Sequence, residues 1–272
     1  MEVTKNDLIY LYCITNREPR LKELESLVDR LYFICHEGLY AVVSKVRDSE
    51  FSEENLRRNL SNMEWVKIKV SIHEKIIEGV MENACVVPFK FATLFNTEDS
   101  LKAMLDKCKE ELKENLKELK GKEEWGVKIY CNIEELKENL IQEDEELLKI
   151  DKEISSSLPG KAFFLMKKRE ELLNITATKK LNVCGQDSSE RLSRQSLQSR
   201  INKLLPKEVT ERKDDMILNS AFLVDKSKVA EFIHVANGLQ TKYNDKGIDF
   251  DCTGPWPPYN FCSINRKEGK EK

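Results

Sequence analysis

The sequence predicts an α+β protein of two domains, each a ferredoxin-like or modified ferredoxin-like unit. Three observations carry that prediction. The first half reads in the order βαββαβ, which is the ferredoxin-like arrangement. The second half reads strand, helices, strand, helix, strand, a looser variant with no visible sequence identity to the first. Long amphipathic helices accompany both halves, and a segment rich in proline and aromatic residues follows the last strand. At 272 residues two domains are the natural division. The expected boundary falls near 122, giving domains 1–122 and 123–272, the second carrying the C-terminal segment.

The first element is a strand in which Leu8, Tyr10 and Tyr12 alternate with Ile9, Leu11 and Cys13. Both sets are apolar, which suits a central strand covered on both faces. Glu23 to Leu31 reads as a short helix. Leu31–His36 and Leu39–Ser44 read as a hairpin, because Glu37-Gly38 supplies the positive φ of a tight turn. Residues 52–62 look helical and charged. From Asn62 to Glu82 runs an apolar helix. Trp65, Ile68, Ile72, Ile76 and Val80 form one stripe and Val66, Val70, Ile77 and Met81 a second, so burial on more than one side is expected. Pro88 ends it, and Cys85–Phe91 returns to extended structure with Pro88 at a sheet edge or strand end.

Thr97 is an N-cap residue, followed by Glu98 and Asp99 in the first turn of a long helix. Leu101, Met104, Leu105, Cys108, Leu112 and Leu119 mark its buried face, and Gly121 stops it. The opposite face is a Lys/Glu lattice, read as solvated, with Asp106–Lys109 as one i,i+3 pair. Trp125–Cys131 opens the second domain as a strand. Gln142–Pro159 reads as a helix end plus loop or a mobile connection. Gly160 to about Leu205 is helical with an interruption near Cys184-Gly185. Met216–Val224 is a strand, Val229–Leu239 a helix, and Ile248–Cys252 the closing strand.

Composition narrows the function. Charged residues make up 34% and the formal net charge is −3. Mean hydropathy is −0.53. A soluble protein is expected, without the basic excess of a nucleic-acid binder. No run of about 18 apolar residues exists, so no membrane span is expected. Met1–Asp7 enters the first strand directly, with no basic-then-apolar leader. Eight cysteines are scattered without a CxxC pair. Reduced thiols in a cytoplasm are the expectation.

Catalytic motifs are missing. GxxxxGK[ST], GxGxxG and GxSxG are absent. His73-Glu74 begins like a zinc-protease helix, but position 77 is Ile77 rather than histidine, so the ligand count fails. His73 therefore reads as a core histidine satisfied by a hydrogen bond. His36 ends a strand and His234 lies beside a helix stripe, neither near a motif that would orient a base. No cysteine is singled out as a nucleophile. Lys167-Lys168-Arg169 is a small basic cluster and a weak nucleic-acid signal. No cofactor and no metal site is expected.

The most informative string is Thr253-Gly254-Pro255-Trp256-Pro257-Pro258-Tyr259-Asn260-Phe261. Proline fixes φ near −65° and donates no backbone hydrogen bond, which excludes a helix or an interior strand. Pro257-Pro258 favours a stiff polyproline-like rod. Such a backbone holds Trp256, Tyr259 and Phe261 in fixed directions. Left open they would form a sizeable apolar patch, so all three are expected to pack within the protein.

This string resembles the C-terminal signature of the gas vesicle protein F and L family. Three further blocks resemble the same family. Val86–Phe95 contains Pro88, Lys90, Phe91 and Thr93; Glu124–Tyr130 contains Trp125; the third is Ala221–Asp225. Two departures stand out: Ala92 where glycine is expected, and Lys90 where arginine is expected. The resemblance implies a non-catalytic, minor structural or assembly protein of gas vesicles, located in the cytoplasm and at the vesicle. It implies contacts with the hydrophobic shell subunit and with other accessory proteins, and two ferredoxin-like units. It does not separate the F-like from the L-like member. The alternative is a small-molecule-binding or enzymatic α/β protein, since such folds host many functions.

Overall fold

A computed structural model describes residues 7–244 and 247–262. The stretch before Asp7, on which the expectation of no leader rests, lies outside the described residues. The chain divides into two compact units. One runs to Glu123 and takes in the segment from Trp256; the other is Glu124–Pro255. The C-terminal segment from Trp256 thus groups with the first unit, whereas the sequence reading attached it to the second.

The first unit is built on β1 (Leu8–Thr15), β2 (Leu31–His36) and β3 (Leu39–Val46). Next come α1 (Asp48–Phe51), α2 (Glu53–Asn59) and α3 (Met63–Met81). The short strands β4 (Val87–Pro88) and β5 (Leu94–Phe95) and the long helix α4 (Glu98–Leu119) complete it. The antiparallel sheet has the order β2-β3-β1-β4, with β5 also pairing β1. Alternating apolar residues put β1 at its centre, and Ile9 to Thr15 are all buried. Both α3 and α4 contact β1. Pro88 pairs with Cys13 on the edge strand β4, where its missing N–H costs no ladder bond. Glu37 and Gly38 take φ of 51° and 76°, the hairpin geometry expected of them.

The second unit contains β6 (Lys122–Cys131), α5 (Ile133–Glu143), α6 (Glu145–Ser156) and the 36-residue α7 (Pro159–Arg194). It continues with β7 (Gln198–Ile201), α8 (Lys207–Thr210) and β8 (Asp215–Asp225). A 3-10 turn at Lys226–Lys228, α9 (Val229–Tyr243) and β9 (Ile248–Trp256) follow. Its sheet runs β7-β8-β6-β9. Numbered within each unit, the two sheets share one strand order, 2-3-1-4. Val127, Ile129, Leu140, Phe222 and Phe232 lie at the centre of its core.

Several expectations are corrected. The stretch read as a helix, Glu23–Leu31, forms turns and a bend up to residue 30, and Leu31 already opens β2. Leu21 is buried and Leu24 and Leu27 pack on the core of the unit, so burial holds the segment without helical hydrogen bonding. Helix α3 is buried on one face only: Ile68 is 55% exposed while His73, Ile76, Ile77 and Val80 are buried. The stretch 142–159 is mostly helical: it holds the end of α5, all of α6 and the start of α7, with short links at Asp144 and at residues 157–158. Asn132 and Asp144 cap α5 and α6 by accepting backbone N–H groups, and α7 starts at Pro159. Gly185 does not interrupt α7. Its helix lies against β8, and an added Cβ would sit 4.0 Å from the Ile217 carbonyl. The strand before the C-terminal segment extends past Cys252 to Trp256; as the last strand in the order, β9 tolerates Pro255. Asp106 and Lys109 do not pair with each other. Asp106 bonds His36 Nε2 at 2.6 Å and Lys109 bonds Glu37 at 2.7 Å, tying α4 to the β2–β3 hairpin.

Candidate functional site

Asn62 caps α3 by accepting the N–H groups of Glu64 and Trp65. Eleven residues further on, the helix carries His73 into the core, where it is 1% exposed. Tyr10 of β1 lies 2.9 Å from Nδ1, through its hydroxyl. Nε2 lies 3.1 Å from the Phe89 carbonyl and 3.0 Å from the Tyr259 hydroxyl. A carbonyl only accepts, so Nε2 carries the proton and Nδ1 receives the Tyr10 O–H. The Tyr10 oxygen accepts the Ala92 N–H at 2.9 Å. Tyr259 donates to Glu74 Oε1 at 3.0 Å. The C-terminal signature, the middle block, α3 and β1 are therefore joined through one imidazole.

Burial governs the protonation of this network. It holds His73 down to about 4, against the opposing hydrogen bond to Phe89, so the ring is neutral at pH 7. Burial also raises the Glu74 carboxyl, with Tyr259 opposing. It pushes the Tyr10 and Tyr259 hydroxyls well above the ordinary tyrosine value. Tyr12, bonded to Ser44 at 2.9 Å, is pushed up to about 12 by burial. A neutral imidazole with both nitrogens engaged is a fixed connector. It is poorly placed to take a proton from a substrate.

A cleft of about 930 Å³ opens beside this network. Tyr10, Tyr12, Ser44, His73 and Phe91 line it, together with Glu50 and Lys69. Lys69 bonds Glu50 at 2.7 Å, and the Trp65 indole N–H donates to the same carboxylate at 2.8 Å. Burial raises Glu50, but these donors and the Lys69 and Arg47 charges outweigh it and leave the carboxyl below its ordinary value. Among the described residues no group of three His, Cys, Asp or Glu side chains is placed to hold a metal ion.

The residues singled out from sequence divide between the units. In the middle block, Pro88 is buried and Lys90 is exposed. The Lys90 carbonyl accepts from Thr93 Oγ1 at 2.7 Å and from the Thr93 N–H at 3.2 Å, so the backbone serves here. The Thr93 carbonyl accepts from the Leu11 N–H at 2.9 Å. Phe91 meets His73 edge-on at 5.9 Å. Ala92, at the third position of this turn, has φ of 59°. That is the left-handed region, which explains why glycine suits the position.

In the C-terminal segment Pro257 and Pro258 are buried, and Phe261 is 6% exposed. Tyr259 packs on the core of the first unit. Trp256 corrects the expectation that all three aromatics are enclosed: it is 41% exposed. It is the last residue of β9, and Pro255 beside it is exposed as well. In the second unit, Gly254 has φ of 150°, and a Cβ there would come 2.9 Å from the Trp125 ring and 3.0 Å from the Glu124 carbonyl. Trp125 and Gly254 are thus a matched contact between β6 and β9, apart from the His73 network. Sequence reasoning missed Tyr10, Glu74 and the Phe89 carbonyl as partners. The signal available was the pair of tyrosines, Tyr10 and Tyr12, on one face of a mostly apolar strand.

The family described as gas vesicle synthesis protein GvpL/GvpF matches residues 8–263. The chain belongs to this family. Gas vesicle protein L of a Streptomyces species is 23% identical over 236 residues, covering 87% of this chain and 84% of that protein. Gas vesicle protein F of Haloferax mediterranei is 23% identical over 267 residues, covering 96% and 95%. The crystal structure of gas vesicle protein GvpF from an Anabaena species is similar with a TM-score of 0.66 at 18% identity, covering 95% of this chain and 97% of that one. That of GvpF from Microcystis aeruginosa has a TM-score of 0.63 at 21% identity, covering 95% and 100%. The mixed architecture with two antiparallel sheets is therefore that of the solved GvpF proteins. Membership in the GvpL/GvpF family gives the chain a gas-vesicle-associated role. Among the described residues no helix is long and apolar enough to cross a membrane.

Proposed function

We propose that this GvpL/GvpF protein is a minor, non-catalytic structural or assembly component of gas vesicles. It binds the hydrophobic shell subunit and other accessory proteins in the cytoplasm while the vesicle forms. The observation that carries the reading is the His73 network. The middle and C-terminal signature blocks meet there, Phe89 and Tyr259 on one neutral imidazole, as packing and hydrogen-bonding parts rather than as reactive groups. Each sheet has the strand order 2-3-1-4, which supports reading both units as ferredoxin-like with irregular crossovers. The domains read best as a first unit that recruits the C-terminal segment and a second that carries the helical insertion α5–α7. An aggregation-prone shell subunit needs a soluble partner during assembly, and two mixed units supply open sheet edges for that task. Deletion of the gene in a gas-vesicle producer tests the reading. Vesicles are expected to be lost or malformed and restored by the intact gene; normal vesicles at wild-type yield would refute it.

The cleft of about 930 Å³ beside His73 favours a second reading, a small-molecule-binding protein. A metabolite that raises the melting temperature in a concentration-dependent way supports it. Absence of any shift across a broad panel removes it.

A further inference from the structure

Helices α6 and α7 form an antiparallel hairpin closed by the short link at residues 157–158. Asp151 with Arg169 and Glu153 with Lys161 tie the two arms together. Burial ends at Ile150 on α6 and resumes at Leu173 on α7, and no residue between them is buried. The free end nevertheless carries Leu158, 82% exposed, Phe163, 55%, and Phe164, 73%. The two rings meet edge-on at 6.0 Å. Side chains of a helix lean toward its N-terminus, which for α7 is this free end. Large apolar residues held open to water at a hairpin end mark a contact surface.

Charge decides what the end contacts. From Asp151 to Arg169 five basic residues stand against two acids, a net charge of +3 in a protein of net charge −3. Both acids are taken by the pairs that join the arms, with Arg169 and Lys161. Lys152, Lys167 and Lys168 are the surplus. Lys167 lies over the Phe163 ring at 4.8 Å, and Lys168 adds only a longer-range attraction to Glu153. The next acids along α7, Glu170 and Glu171, lie on the body side of these lysines. At a rise of about 1.5 Å per residue, Phe163 and Phe164 sit roughly 6 to 8 Å from the start of α7, and Lys167 and Lys168 about 6 Å further back. Apolar groups at the end with ammonium groups one turn behind match the layering of a bilayer surface, hydrocarbon beneath anionic phosphate. A polypeptide segment is received by a groove or a sheet edge, whereas a hairpin end is convex. A second copy would bring its own lysine surplus against this one. We propose that the α6–α7 hairpin end is a peripheral docking site for the surface of an anionic phospholipid bilayer. Leu158, Phe163 and Phe164 enter the interface, and Lys152, Lys167 and Lys168 rest at the phosphates. This is attachment to one leaflet rather than a span, and it stands whether or not the chain binds a shell subunit.

The full chain is sedimented with vesicles of equimolar phosphatidylglycerol and phosphatidylcholine. Saturable binding is expected, and at least about tenfold weaker binding to vesicles of phosphatidylcholine alone. Phe163→Ser with Phe164→Ser is expected to weaken binding at least about tenfold with the melting temperature unchanged, since both rings are exposed. Lys152→Gln, Lys167→Gln and Lys168→Gln together are expected to bring binding down to the level of the neutral vesicles. In Phe164→Trp, the emission added to that of the three native tryptophans is expected to be quenched by brominated lipid tails. That variant decides if the serine variant loses stability. No saturable binding to the anionic vesicles overturns the proposal. Full binding by a stable serine variant overturns it as well, because charge alone would then suffice, and so does added emission that brominated lipid leaves unquenched. Tighter binding to a single-stranded oligonucleotide than to the vesicles overturns it in favour of a nucleic-acid surface.

Discussion

Ala92 holds φ of 59° in the turn that positions its N–H on Tyr10. A side chain in the left-handed region costs about 1–2 kcal/mol, partly offset by the greater unfolded-state entropy of glycine. Ala92→Gly is therefore expected to stabilise the protein by about 0.5–1 kcal/mol, read as a rise in the melting temperature. Gly254 is the converse. Its φ is 150°, and a Cβ would strike the Trp125 ring and the Glu124 backbone at 2.9 and 3.0 Å. Neither the backbone nor a half-buried indole yields easily. Gly254→Ala is expected to cost about 2 kcal/mol or more, measured by denaturant unfolding. Both glycine preferences belong to the family resemblance, one in the middle block and one in the C-terminal string, but their reasons differ. One is a turn and the other a close approach of two strands, and only the folded backbone distinguishes them.

At the scale of elements, the C-terminal segment separates into an enclosed part and an open part. Phe261 is 6% exposed and Trp256 41% exposed. Phe261→Ala is expected to cost about 3–5 kcal/mol. Trp256→Ala is expected to lower the melting temperature by clearly less, and an equal or larger drop would contradict the arrangement. Tyr259→Phe removes the donor to Glu74 at 3.0 Å and one acceptor of the His73 N–H. The expected cost is about 1–3 kcal/mol, because a half-buried carboxyl loses its partner. Helices with strong caps were legible from sequence. Thr97 and Ser100 form the reciprocal capping pair that starts α4, and Asn62 starts α3. Glu23–Leu31 was misread because three leucines at helical spacing are equally served by successive turns over a core. The extended stretch around β4 was legible through Pro88, but the two-residue β5 and the exposed β7 were not, since two to four residues carry no period.

For the molecule as a whole, His73 makes stability depend on pH. Its folded value of about 4 lies below its unfolded value of about 6.5. Between those values the unfolded chain binds a proton that the folded one does not. The contribution is present above about 6.5 and is lost progressively as pH falls toward about 4. It amounts to up to about 3 kcal/mol. Glu74, raised by burial, acts in the opposite direction. The melting temperature of the wild type is expected to fall more steeply from pH 6.5 to 4 than that of His73→Gln, and parallel curves would show that the ring already titrates freely. The amino-acid sequence by itself determined the long helices α3 and α4 and the longer strands, the central place of β1, the edge position of Pro88, the buried histidine and the family. Each of these follows from local periodicity, from proline and glycine geometry, or from a contiguous string of residues. Tertiary structure alone decided that Tyr259 reaches His73 across 186 positions of chain, that the segment from Trp256 groups with the first unit, and that the lattice charges of α4 pair with the β2–β3 hairpin. These are choices among partners remote in sequence. They are set by which side chains the fold brings within hydrogen-bonding distance, and no local pattern encodes that distance.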